Sequence, residues 1–146
     1  MKKYKVGFTT GVFDLFHVGH LNILKRAKEQ CEYLIVGIST DEVVQSYKHK
    51  TPIIPFEDRI AIVEAIKYVD QVVPQTSMDK FEDWETLKFD VIFHGDDRPK
   101  LYDEIEKKFK DVGVDIVYFP YTKGFSSTIL KYVLTKVLTS QEKKVE

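Results

Sequence analysis

Between Thr9 and Ala27 the chain reads TTGVFDLFHVGHLNILKRA, and the residues able to do chemistry are crowded into its middle: Asp14, His17, Gly19 and His20. Ahead of them an alternating apolar stretch runs into Gly11, and behind them Leu21, Leu24 and Ala27 recur at helical spacing. The histidines therefore fall where a strand-to-helix turn becomes a helix. Three positions apart, they share one helix face, so both imidazoles aim at one point. A helix N-terminus carries unpaired N–H groups and roughly half a positive charge, which makes it a ready phosphate site. Imidazoles placed there suit charge that develops on phosphate oxygens during an in-line displacement. Gly11 lets backbone approach such a ligand closely. On spacing alone, metal binding and plain packing are the competing readings, although two histidines without Cys-x-x-Cys partners fall short of a zinc site.

The rest of the chain reads as the scaffold for such a pair. Strands are predicted over 4–10, 33–39, 71–73, 89–95 and 114–120. The continuous apolar runs YLIVGIS and FDVIFHG suit strands covered on both faces. Helices are predicted over 18–30, over STDEVVQSY with Ser39 or Thr40 as cap, over 56–68 and over 101–113 up to Gly113. A last helix covers SSTILKYVLTKVL, with Leu130, Val133, Leu134 and Val137 on its inner face. KHKTPIIP is irregular, held open by Pro52 and Pro55, and KFEDWETLK (80–88) reads as an acidic segment around Trp84. Alternation of strand and helix predicts an α/β domain, a Rossmann-like, doubly wound and mostly parallel sheet with helices on both faces. Residues 1–146 read as one domain, with a frayed tail from about 140.

Composition narrows the function classes. An apolar content of 43% supports one core, and a net charge of −1 gives no global field for nucleic acid. A single cysteine, Cys31, excludes a disulfide framework within one chain and suits a reducing compartment, so a cytoplasmic location is expected. No apolar run approaches the roughly 18 residues needed to span a bilayer, so neither membrane nor nucleic acid is an expected partner.

The segments that follow the strands are GVFDLFHVGH, STDE, GDDRP and YTKGFSST. In a parallel sheet all four open on the carboxyl edge, where such folds bind ligands. Together with KHK, EDR and KYVDQVVP, these elements resemble the signatures of the cytidylyltransferase family of HxGH nucleotidyltransferases along nearly the whole chain, and are most similar to its glycerol-3-phosphate branch.

That resemblance implies transfer of CMP from CTP to a phosphorylated alcohol, with Mg²⁺ accompanying the triphosphate, in a homodimer. It implies that His17 and His20 act at the α-phosphorus and that Lys48 or Lys50 neutralises phosphate charge. Thr9, Thr10, Gly11 and Phe13 would line the nucleotide cleft, with Asp14 buttressing its loop. Gly95, Asp96 and Asp97 would hold ribose and base, and Thr122, Gly124, Ser126 and Ser127 would form a second cradle. Arg59, Lys67 and Trp84 would lie toward the acceptor. Each has a plainer reading: solvated loop charge for the lysines, a helix-surface ion pair for Arg59, capping for Asp96, Asp97, Ser126 and Ser127, and loop packing for Trp84. Two departures stand out: family arginines are replaced by Tyr121 and by Lys67. Adenylyl transfer to a cofactor precursor, and nucleotide binding without turnover, are the alternative functions.

Overall fold

The computed structural model describes residues 2–95, 102–120 and 127–145, with 102–103, 127–129 and 140–145 described in backbone only. The order of elements is β1 (Tyr4–Gly11), α1 (Val18–Gln30), β2 (Cys31–Ser39), α2 (Asp41–Lys48), α3 (Phe56–Glu64), β3 (Gln71–Gln75), α4 (Lys80–Leu87), β4 (Val91–Gly95), α5 (Tyr102–Asp111), β5 (Asp115–Phe119) and α6 (Ser127–Val145). The five strands form one parallel sheet in the order β3-β2-β1-β4-β5. The chain winds outward from β1 to β3, then crosses back to β4. The strand order therefore reverses between β1 and β4, and that is where an open α/β sheet forms a ligand crevice.

Two apolar layers hold the helices to the sheet. On one face Leu24 and Ala27 of α1 and Val63 of α3 pack on Leu34, Val36, Ile38, Val91 and Phe93. On the other, Phe8, Ile35, Phe89, Ile92 and Phe109 form a cluster, with Phe81, Trp84 and Leu87 of α4 against it. Strands buried on both faces explain why β2 and β4 read as continuous apolar runs.

Local signals fix several boundaries. Thr40 caps α2, its hydroxyl accepting the Val43 N–H at 3.2 Å. Gly113, at φ +79°, takes the left-handed turn that closes α5. Three expectations change. The predicted helix over 56–68 stops at Glu64, and the chain then turns through Ile66 and Val69 so that the Asp70 N–H reaches the Leu34 carbonyl. The acidic segment is helix α4, capped by Asp79 and buried through Phe81, Trp84 and Leu87, an i, i+3, i+6 pattern that its acidic residues obscure. The third concerns α6: Val133, Leu134 and Val137 do not face inward but are 50%, 42% and 48% exposed. Helical periodicity reports that an apolar face exists, not that the fold covers it.

Candidate active site

The loop from Val12 to His17 crosses the carboxyl edge from β1 to α1. His17 is the N-cap of α1, and its extended backbone leaves the ring beside the first turn. Its Nδ1 accepts the Gly19 N–H at 3.0 Å, while its own N–H donates to His20 Nδ1 at 3.2 Å. The two histidines thus form a reciprocal capping box, a role usually filled by Ser or Thr with Glu. This fixes their tautomers: with each Nδ1 spent as an acceptor, a neutral ring carries its proton on Nε2. Burial lowers the pKa of both, and that of His20 falls to about 4 by burial first and the neighbouring His17 second, against the pull of Asp14. Near neutral pH the result is two uncharged imidazoles, stacked with centroids 4.0 Å apart, each with an Nε2–H donor.

Asp14 holds this loop. It is 1% exposed and sits between Phe13 and Leu15, both at positive φ (55° and 50°). Such non-glycine conformations cost on the order of 1–3 kcal/mol each and persist only where neighbours dictate them. The Asp14 carboxylate accepts the N–H groups of Ile53 (2.8 Å) and Ile54 (2.9 Å) and pairs with Lys131 of α6 at 2.9 Å. Burial opposes its ionisation, but Lys131 and the two backbone donors outweigh it and lower its pKa. One carboxylate therefore ties the β1–α1 loop to the α2–α3 loop and to α6.

These ties gather a cavity of about 170 Å³ lined by Phe13, Asp14, His20, Lys48, Lys50 and Lys131, among others. Lys48 and Lys50 line it together with His20, whereas His17 is not among its lining residues. Lys131 was not singled out from sequence, because nothing local marks a lysine on an amphipathic helix as the partner of a distant aspartate. Thr9 is buried, its hydroxyl donating to the Phe93 carbonyl at 3.0 Å and so bridging β1 and β4 at the switch point. Thr10 and Gly11 end β1, and a side chain at Gly11 would meet the Phe13 ring at 2.9 Å. Gly95 ends β4. Asp96, Asp97, Thr122, Gly124 and Ser126, with Tyr121, lie outside the described residues, and Ser127 is described only as the backbone start of α6.

The three expected acceptor contacts are not brought to this cavity. The Arg59 side chain is fully buried, and its guanidinium donates to the carbonyls of Ile54, Val12 and Ser39 and to Asp41, at 2.5–3.0 Å. It clamps the loops instead of facing a ligand. Lys67 is exposed beyond the end of α3, its ammonium over the Tyr68 ring at 5.3 Å, close to where β3 begins. Trp84 packs beside Phe81 (5.2 Å) in the second apolar layer, with Lys88 over its ring at 3.9 Å.

Asp83, on the inner side of α4, accepts the Gln75 amide N–H at 3.2 Å, and burial raises its pKa to about 6. The native state then binds this proton more tightly than the unfolded chain, so stability from this group falls as pH rises from about 4 to about 6. Asp83→Asn, which keeps an acceptor for Gln75, should melt a few degrees above the wild type at pH 7.5, with the advantage fading toward pH 4. An equal melting temperature at pH 7.5 would remove Asp83 as a source of instability.

A parallel sheet that reverses its order between β1 and β4, with two histidines at a helix N-terminus and His20 sharing a cavity with two lysines, is the architecture of a nucleotide-binding α/β domain of the nucleotidyltransferase type. The chain belongs to the cytidylyltransferase-like family, whose model matches residues 8–133. It is 42% identical over 126 residues to the glycerol-3-phosphate cytidylyltransferase of Bacillus subtilis (strain 168), covering 84% of this chain and 92% of that one. It is 40% identical over 117 residues to the FAD synthase of Pyrococcus horikoshii, covering 76% of this chain and 77% of the other. Among solved structures, the lipopolysaccharide core biosynthesis protein of Thermoplasma volcanium GSS1 is similar, at a TM-score of 0.70 and 26% identity, over 84% of this chain and 99% of that one. No described helix is long and apolar enough to cross a membrane.

Proposed function

We propose that the chain transfers CMP from CTP to glycerol 3-phosphate. A phosphate oxygen of the acceptor attacks the α-phosphorus, the bond to the bridging oxygen breaks, and pyrophosphate leaves with that electron pair, giving CDP-glycerol. One observation carries the reading: the capping box that fixes two Nε2–H donors side by side at a helix N-terminus, with His20 on the cavity that Lys48 and Lys50 line. Preset donors aimed at developing phosphate charge stabilise the transition state without reorganising during the reaction. The names of two relatives, glycerol-3-phosphate cytidylyltransferases 42% and 38% identical to this chain, support CTP and glycerol 3-phosphate as the substrates.

In this reading Thr10, Gly11 and Phe13 border the nucleotide, with Thr9 and Asp14 holding that border in place, and Gly95 faces it from β4. Asp96, Asp97, Thr122, Gly124, Ser126 and Ser127 keep the nucleotide roles that the family resemblance implies. Arg59 acts as a clamp, and no acceptor role is carried to Lys67 or Trp84. Among the described residues no cluster of three His, Cys, Asp or Glu side chains is arranged to hold a metal ion. The family resemblance implies that Mg²⁺ enters with the triphosphate as part of the substrate and offsets its charge. A cytoplasmic location fits the single cysteine, and the family resemblance implies a homodimer, tested by mass in solution.

Similarity to an FAD synthase favours a second reading, transfer of AMP from ATP to a cofactor precursor. Pyrophosphate release with CTP, ATP, GTP and UTP, each against glycerol 3-phosphate, phosphocholine, phosphoethanolamine and FMN, separates the two. Release with CTP and glycerol 3-phosphate is the expected result. Release only with ATP overturns it, and nucleotide binding with no release under any pairing identifies a binding protein.

A further inference from the structure

Two polar side chains of α4 turn into the protein, and the transfer chemistry described above uses neither. Lys80 is 5% exposed, although lysines are almost never buried without a partner. Its ammonium lies 3.0 Å from Nε2 and 3.4 Å from Nδ1 of His94. An ammonium only donates, so the imidazole nitrogen it bonds must accept. Three residues further along α4, Asp83 bonds Gln75, whose Oε1 receives the Ser39 hydroxyl at 3.5 Å. Ser39 and Gln75 are paired at the carboxyl ends of β2 and β3, and His94 is the last residue but one of β4. The polar side of α4 thus joins the ends of three strands, two on one side of the switch point and one on the other. Of these polar contacts the Lys80–His94 pair reaches β4, directly ahead of Gly95. A buried charge is costly where an apolar side chain would fill the same space, so packing alone gives no reason for a lysine here.

We propose that Lys80 is a positioning residue of the nucleotide site: acting through His94, it fixes the carboxyl end of β4 against which the nucleotide is held. The inference rests on the reading above, in which Gly95 borders the nucleotide. Without the lysine the end of β4 loses this polar contact with α4 and nucleotide affinity falls. The donors on His17 and His20 belong to α1, which packs on the other face of the sheet, and they keep their geometry.

A double-mutant cycle of Lys80→Met, His94→Leu and the pair tests this. Steady-state kinetics use whichever nucleoside triphosphate the wild type turns over, with a thermal melt of each variant. Each single variant should raise nucleotide KM about tenfold, the scale of one charge-assisted hydrogen bond, with kcat within about threefold. The pair should raise KM no further than either single change, because both remove the same contact. Lys80→Gln retains an N–H donor without the charge and should fall between the wild type and Lys80→Met. It also carries the test if Lys80→Met does not fold. A lower melting temperature with unchanged nucleotide KM overturns the proposal, as do multiplicative effects on KM in the pair. A wild type that neither binds nor turns over any nucleoside triphosphate overturns the parent reading, and this inference with it. That failure is seen before any variant is made.

Discussion

Alanine at His17 or at His20 should lower pyrophosphate release by at least about 100-fold, the scale of one lost oxyanion-type donor. The effect follows from the capping box: each Nδ1 is committed to a backbone N–H, so each ring's remaining function is its Nε2–H. His17→Ala also removes the N-cap and should cost about 1 kcal/mol of stability. His17→Asn separates the two effects, because its side-chain oxygen can still cap the helix while the Nε2–H donor is gone. Normal folding with turnover still down about 100-fold is expected; turnover near wild type in His17→Asn and His20→Ala would end the assignment. A second readout belongs to His20 alone. Its pKa of about 4 in the fold lies below the ordinary 6.5, so the native state binds this proton less tightly than the unfolded chain. Stability should therefore fall as pH drops from about 6.5 toward about 4, by about 2 kcal/mol after allowance for solvent screening. Replacing His20 should flatten that slope. Asp83 works in the opposite sense over much of the same window, which makes the difference between variant and wild type the quantity to compare.

The other large effect is on stability. Arg59→Ala should destabilise the protein by about 3–5 kcal/mol, because it strands the Asp41 carboxylate and the carbonyls of Val12, Ser39 and Ile54 that one buried guanidinium satisfies. For a chain of this size that corresponds to a melting temperature lower by about 10 °C or more. Arg59→Lys should recover only part of the loss, since a single ammonium cannot span the fork of contacts that the planar guanidinium makes. Thermal denaturation distinguishes this clamp from the acceptor-binding role expected from sequence. An acceptor-binding arginine would raise the acceptor KM while leaving the melting temperature in place. The clamp matters to the site because its partners are the site's own supports: Val12 starts the β1–α1 loop, and Ile54 is one of the two residues that anchor Asp14.

The sequence alone determined what short-range physics determines. α1 occupies 18–30 as expected, because Leu24 and Ala27 recur at helical spacing behind a turn that brings its own cap. The alternation of apolar runs with helices was enough for a parallel α/β sheet. The spacing of the histidine pair was legible because it lies within one helical turn, whereas Lys48 and Lys50, which line a cavity with His20, were suggested only by the family resemblance of KHK. What only the tertiary structure decided depends on contacts between distant residues. An EDR triplet at a helix start looks like surface charge, and only the convergence of Val12, Ser39, Asp41 and Ile54 turns Arg59 inward. The apolar stripe of α6 is real in the sequence, but whether a stripe is covered depends on the elements around it, and Val133, Leu134 and Val137 stand exposed. Asp14 meets Ile53, Ile54 and Lys131, and Lys80 meets His94, across separations that no local pattern encodes. Periodicity and capping arise from neighbours along the chain, whereas the burial of a charge and its choice of partner are settled only when the sheet brings remote segments together.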